Sequence, residues 1–267
     1  MSPHKRLLIR PGAIGDFIAS IPALQFLKTS YTEIWCAQQN VPLARFADRA
    51  ISIGSSGLDR IAVLPSEDVL QRLRAFDDIY SWYGTAHPEF RDAVSTLPFR
   101  FFDALPPPGT ALHATEFFCA QVGAAVGAAS VTPVIDPGPR RQEDFIILHP
   151  FASSPSKRWP LEHFRKLAAV LDRTCWCAGP EEPLADAVRI RDLYELAQWI
   201  STARAYVGND SGITHLAAAV GIPVVVLFGP TDSSIWAPRG KNVRVISRTP
   251  IHQISPQEVF AALASLV

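Results

Sequence analysis

Four cysteines in 267 residues are too few for a disulfide framework, so a reducing compartment is expected. Cys175-Trp176-Cys177 lacks zinc-knuckle spacing and reads as a strand. Its thiols are expected to be free and buried, like an ordinary small apolar side chain. Neither sign of charge dominates. Lys plus Arg number 25 and Asp plus Glu number 25, which leaves no global field to attract nucleic acid. No apolar run approaches the roughly 20 residues that cross a bilayer. The longest, Val220 to Phe228, is broken by Gly221 and Pro223. The N-terminal MSPHKRLLIRPGAIGD has only Leu7-Leu8-Ile9 as an apolar centre, short for a signal peptide. A cytoplasmic protein is expected, with peripheral attachment to the inner membrane face left open. His and acidic residues do not gather at metal spacing, and no Asp-x-Asp pair ends a strand. A metal-independent chemistry without cofactor is therefore expected, in which protein cations and helix ends neutralise any phosphate.

What the chain does have is alternation. Short apolar runs at Leu7–Arg10, Ile34–Ala37, Ile61–Leu64, Ile79–Trp82 and Phe99–Phe102 read as strands. Helical spacing over Asp16–Lys28, Val69–Phe76 and His113–Gly123 separates or follows them, with Pro22 interrupting the first. From 124 to 144 the period is lost, and Pro133–Arg141 reads as a linker. Alternation then resumes: strands at Phe145–Leu148, Thr174–Cys177 and Val243–Ile246, helices at Leu161–Leu171, Leu193–Thr202 and Pro256–Val267. Strands alternating with helices predict parallel sheets covered on both faces. The expectation is two doubly wound α/β domains, 1–135 and 136–267. Ligands in such folds bind at the carboxyl ends of the strands, here expected in a cleft between the domains.

Residues 207–229, VGNDSGITHLAAAVGIPVVVLFG, predict a strand, a tight turn, a helix and a second strand. Free N–H groups and the positive end of the helix dipole converge on Asp210-Ser211-Gly212, which suits a phosphate. A simple helix cap by Ser211 or Asp210, with Gly208 permitting the turn, fits the residues equally well. NDSG also touches the serine-protease turn, but no triad partners are suggested.

Three further constellations lie just after predicted strands. In Arg10-Pro11-Gly12-Ala13-Ile14-Gly15-Asp16, the glycines Gly12 and Gly15 let backbone approach a ligand. The dinucleotide fingerprint is incomplete, with Glu33 only loosely placed for the ribose. Asp16 is either a general base for an incoming hydroxyl or an N-cap. In His149–Pro160, the hydroxyls of Ser153, Ser154 and Ser156 stand near Lys157 and Arg158, a set suited to phosphate or to a solvated loop. One diphosphate held between this loop and the Ser211 turn accounts for both. After Thr174–Cys177, Glu181 and Glu182 can accept from ribose hydroxyls or a base amine, or simply favour a helix start. His215, four residues after Ser211, can face the same ligand or pack.

Together these motifs resemble the bacterial heptosyltransferases, glycosyltransferase family 9. Three segments carry the resemblance in order: PGAIGD, the Lys157-Arg158-Trp159-Pro160 loop, and VGNDSGITHLAAAVGIPVVVLFGPTD. Asp192-Leu193-Tyr194-Glu195-Leu196-Ala197 is similar to that family's lead-in helix. The resemblance implies a GT-B fold and inverting transfer of a sugar from a nucleotide diphosphate sugar. The donor would typically be ADP-heptose and the acceptor a lipopolysaccharide-core or related glycan or glycolipid. It implies Asp16 as catalytic base and Lys157 as phosphate contact, with Ser153 and Ser154 beside it. Asp210, Ser211, Gly212 and His215 match the donor-binding turn, Gly15 the donor-facing loop, and Glu181 or Glu182 the nucleoside-side acid. A nucleotide-sugar epimerase of similar architecture and a non-catalytic nucleotide-sugar-binding relative are the alternatives.

Overall fold

The computed structural model describes residues 3–61, 66–125 and 131–267. Contacts divide the chain into two compact units, Met1–Thr110 with Thr115–Val131, and Ala111–Ala114 with Thr132–Val267. The first sheet holds β1 (Lys5–Arg10), β2 (Tyr31–Cys36), β3 (Arg49–Ser52), β4 (Asp78–Ser81) and β5 (Phe99–Phe101), in the order β3-β2-β1-β4-β5. The second holds β6 (Ile146–His149), β7 (Thr174–Trp176), β8 (Ala205–Asn209), β9 (Val224–Phe228) and β10 (Val243–Ser247), in the order β10-β9-β8-β6-β7. Every pairing in both sheets is parallel. The helices are α1 (Ile14–Phe26), α2 (Glu67–Arg74), α3 (Pro88–Ala93), α4 (Ala114–Gln121), α5 (Leu161–Ala168), α6 (Leu193–Thr202), α7 (Gly212–Ala219), α8 (Ser233–Trp236) and α9 (Pro256–Ala264).

The central strands carry near-continuous apolar runs because both their faces are covered. Val224 to Phe228 is buried at every residue, as are Leu7 to Ile9. In the second unit Leu148, Trp159, Phe164, Val207, Val225 and Ile254 share one core. The edge strands β3, β5, β7 and β10 are shorter or more polar and half exposed. In each unit the chain reverses its winding beside the first strand, between β1 and β4 and between β6 and β8. That is where open α/β sheets leave room for a ligand. The loops after β1, β6 and β8 carry PGAIGD, the serine loop and the Asp210 turn.

Several elements differ from the sequence expectation. Residues 62–64 of the expected strand Ile61–Leu64 lie outside the described residues, and Ile61 itself closes a 3-10 turn. The strand beside β2 is instead β3, four residues with no clear alternation. The first helix is unbroken at Pro22. Burying Phe17, Ile18, Ile21 and Leu24 contributes about 1.5–3 kcal/mol each, more together than the roughly 3 kcal/mol a mid-helix proline costs. All four cysteines are free. Burial pushes the Cys36 and Cys177 thiols up to about 12, which removes their nucleophilicity at neutral pH.

Candidate functional site

The second unit builds its candidate site at the carboxyl ends of β6 and β8. Ser211 is the N-cap of α7, extended at φ −149, and its hydroxyl accepts from the Thr214 N–H at 3.4 Å. Thr214 Oγ1 donates to the Asn209 carbonyl at 2.5 Å and lies 3.1 Å from Ser211 Oγ and 3.2 Å from the Tyr206 hydroxyl. The cap thus exists, and it leaves the N–H groups of Gly212 and Ile213 without intrahelical partners. The two readings of this turn are compatible. Gly208 has a role other than the one expected. It lies within β8, and a Cβ there would stand 2.7 Å from the Tyr206 ring. The missing side chain makes room for that ring rather than permitting the turn.

The loop after β6 reaches the same turn. Lys157 Nζ donates to Asp210 Oδ2 at 2.8 Å. Two fastenings aim it. The Trp159 N–H donates to Asn209 Oδ1 at 3.0 Å, and the Trp159 indole N–H donates to the Ile254 carbonyl at 2.8 Å. Ser154 caps the short 3-10 turn Pro155–Lys157, its hydroxyl 2.8 Å from Ser156 Oγ, and Ser153 is exposed beside it. Arg158 Nε donates to the Ala152 carbonyl at 2.8 Å and its guanidinium lies 5.9 Å from the Phe151 ring.

His215 is buried on α7, and burial holds its ring down to about 4. The Asp210 charge opposes that shift, while His113 and Lys157 reinforce it. His215 is therefore neutral at physiological pH and supplies no counter-charge for phosphate. His113 is a member of this neighbourhood that the sequence did not single out. It lies in Ala111–Ala114, the short segment grouped with the second unit, and its Nε2 donates to the Ala237 carbonyl at 2.8 Å. Its placement at the head of a helical run had no signal beyond helix spacing. Of the two adjacent acids after β7, Glu182 turns back, its Oε2 accepting the Gly179 N–H at 2.5 Å, and Glu181 is exposed. His149, at the end of β6, is buried; it donates from Nδ1 to the Cys177 carbonyl at 3.0 Å, and burial lowers its pKa.

In the first unit, Asp16 is the third residue of α1 and Gly15 the second. The N-cap is Ala13, which has no side chain to cap with. Asp16 Oδ2 accepts the Ala13 N–H at 3.3 Å, completing one half of a capping box. Asp16 is half-buried, with its other carboxylate oxygen uncommitted. Gly12 has φ +121, a conformation glycine adopts without strain. Among the described residues no group of three His, Cys, Asp or Glu side chains converges as a metal site, and no helix is long and apolar enough to cross a membrane.

Two parallel Rossmann-like halves, the second with a cationic loop tied to a strand–turn–helix cradle, define a protein of the GT-B type. The sequence profile of glycosyltransferase family 9 (heptosyltransferase) matches residues 123–259. The chain belongs to that family. Lipooligosaccharide heptosyltransferase 2 of Haemophilus influenzae is 31% identical over 113 residues, which cover 34% of this chain and 33% of that protein. Lipopolysaccharide heptosyltransferase 1 of Escherichia coli K12 is 30% identical over 129 residues, 41% of this chain and 40% of that protein. The chain thus spans about a third to two fifths of the length of these curated relatives. In fold it is similar to the E. coli ADP-heptose lipopolysaccharide heptosyltransferase II, with TM-score 0.73, 20% identity and 98% of each chain covered. An E. coli heptosyltransferase solved with ADP gives TM-score 0.69 at 17% identity, covering 98% of this chain and 100% of that one.

Proposed function

We propose that the chain is an inverting glycosyltransferase that moves heptose from ADP-heptose onto a lipopolysaccharide-core or related glycan acceptor. The observation that carries this reading is the 2.8 Å contact of Lys157 Nζ with Asp210 Oδ2 at the head of α7. It holds a cation beside the open N–H groups of a helix start, an arrangement suited to a diphosphate. Family membership supports the reaction class, and the names of the relatives support the donor.

In this reading the donor diphosphate takes Lys157 from Asp210. The hydroxyls of Ser153 and Ser154 and the N–H groups of Gly212 and Ile213 hold its oxygens, with Ser211 shaping the turn. Asp210, released, accepts from hydroxyls of the donor sugar, which Gly15 lets the backbone approach. Glu182 is favoured over Glu181 for the ribose, because the Gly179 N–H fixes its carboxylate and leaves one oxygen open. His215 lines the site as a neutral ring. The acceptor oxygen attacks the anomeric carbon opposite the diphosphate. As that bond forms, the carbon–oxygen bond to the diphosphate breaks and the acceptor proton passes to Asp16. Charge developing on the leaving group is stabilised by Lys157 and α7, a term that grows towards the transition state. No metal or resident cofactor takes part. A glycolipid acceptor would bring the protein to the cytoplasmic face of a membrane.

ADP titration followed by melting tests the donor assignment. At 100 times its dissociation constant ADP should stabilise the fold by about 2.7 kcal/mol, with or without EDTA. No shift at millimolar ADP would overturn the donor site. A shift abolished by EDTA would overturn the metal-free mechanism alone. ADP release from ADP-heptose that depends on added lipopolysaccharide core oligosaccharide tests the transfer itself.

A further inference from the structure

A buried cation lies beneath the turn that carries Asp16. Arg10 ends β1 and is 1% exposed, although arginine is almost never fully buried without a charged partner. Its hydrogen bonds go to backbone carbonyls: Nη1 to Pro11 at 3.1 Å and to Ala104 at 3.4 Å, Nη2 to Asp16 at 3.1 Å. The Phe118 ring lies 4.5 Å from the guanidinium carbon. Nε is buried with no partner. Burial brings the guanidinium down to about 10, opposed by the Asp16 charge, so it remains a cation at neutral pH.

Such a group is a poor stabiliser. Desolvating an ion costs several kcal/mol, and apolar replacements of buried ions are often neutral or better. What Arg10 does is grip both ends of one turn. The Pro11 and Asp16 carbonyls it holds bracket Gly12. A Cβ on Gly12 would stand 3.3 Å from Asp16 Cβ and 3.6 Å from Arg10 Nη1. From the segment after β2, buried Asn40 donates its Nδ2 to the Gly12 carbonyl between them at 3.1 Å. The carbonyls of Pro11, Gly12 and Asp16 are thus each held by a buried side chain.

We propose that Arg10 is a positioning residue of the transfer reaction. Through the carbonyls of Pro11, Asp16 and Ala104 it sets the direction in which the Asp16 carboxylate meets the acceptor hydroxyl. This rests on the reading of Asp16 as the base. A lysine keeps the charge, but one ammonium does not span carbonyls at both ends of the turn.

The test measures ADP release from ADP-heptose with lipopolysaccharide core oligosaccharide as acceptor, beside ADP titration and melting. In Arg10→Lys, kcat should fall about 10- to 100-fold, the range expected when a reacting group is misplaced by about an ångström. The KM for ADP-heptose and the affinity for ADP should stay within about twofold. In an Asp16→Asn background the same substitution should cost nothing further. A wild-type kcat in Arg10→Lys, or an equal loss in both backgrounds, overturns the proposal while leaving the base reading intact. A fully active Asp16→Asn overturns the base reading and the proposal with it. If Arg10→Lys does not melt cooperatively, Phe118→Leu takes its place, removing the ring beneath the guanidinium. A smaller fall in kcat, again absent in the Asp16→Asn background, is then expected, and an unchanged kcat sinks the proposal.

Discussion

Lys157 and Asp210, 53 residues apart in sequence, meet at 2.8 Å with the aspartate almost fully buried and the lysine about a quarter exposed. A buried carboxylate needs a partner, and on the proposed reading a phosphate-binding cation is held in place until phosphate arrives. One contact serves both. Lys157→Ala should therefore act twice, removing the phosphate contact and leaving Asp210 buried without a counter-charge. Donor affinity should weaken by about 1.5–3 kcal/mol, the range for a charge-assisted contact. The melting temperature should fall as well. Calorimetric titration with ADP checks the first effect and a melting curve the second. Near-normal ADP affinity would return this loop to a solvated helix entrance.

Asp16→Asn separates chemistry from capping. The amide oxygen can still accept the Ala13 N–H that Asp16 Oδ2 accepts at 3.3 Å, so the melting curve should barely move. The amide cannot take a proton. Turnover at saturating donor and acceptor should fall by roughly 10²–10⁴, the usual worth of a positioned general base. A large loss of stability at normal turnover would make the carboxylate a helix cap and nothing more.

Acid should loosen the second unit through His215. Burial holds that ring down to about 4, against an ordinary 6.5. Between those values the unfolded chain binds a proton that the folded chain refuses. The stability it carries is complete above the ordinary value and is lost as pH falls towards 4. The full effect is on the order of 3 kcal/mol. His149, depressed by the same cause, acts in the same direction. Urea midpoints at about pH 7.5 and about pH 5 should therefore differ by less in His215→Gln than in the wild type. Equal differences in the two proteins would count against the burial of that ring.

Gly208→Ala should destabilise by about 1–3 kcal/mol, as overpacking does, because its methyl would meet the buried Tyr206 ring at 2.7 Å. Tyr206→Leu in the same chain should recover part of the loss by vacating that space. Additive losses in the double variant, measured by urea unfolding, would contradict the clash.

The parallel sheets were legible in the sequence for a physical reason. Strands covered on both faces carry near-continuous apolar runs, and Val224–Phe228 is apolar and buried at every residue. The cap of α7 was legible down to a choice between Ser211 and Asp210, because capping is local chemistry, and the structure gives it to Ser211. Arg49–Ser52 was not, since an edge strand of four half-exposed residues carries no apolar signature. Gly208 misled because a glycine beside Asn-Asp reads as a turn, while the ring it accommodates lies two residues back on the same strand. Glu181 and Glu182 are indistinguishable in sequence. Only the fold shows which of them folds over the Gly179 N–H. Lys157 and Asp210 were each visible as candidates, but nothing local announced that they touch.

Trp159 joins three stretches of chain that are far apart in sequence. Its backbone reaches Asn209, 50 residues on, and its indole reaches Ile254, 95 residues on. Loops of that length close late, since their entropy must be lost before the contact rewards it. During synthesis the segment bearing Lys157 can meet Asn209 and Asp210 early, but it lacks its last anchor, the Ile254 carbonyl, until residues beyond Ile254 have left the ribosome. A nascent chain stalled before Ile254 should leave the Trp159 indole in water and fail to retain ADP. Release of the remaining residues should bring both about together, so that the newly made protein acquires its capacity for nucleotide in one late step.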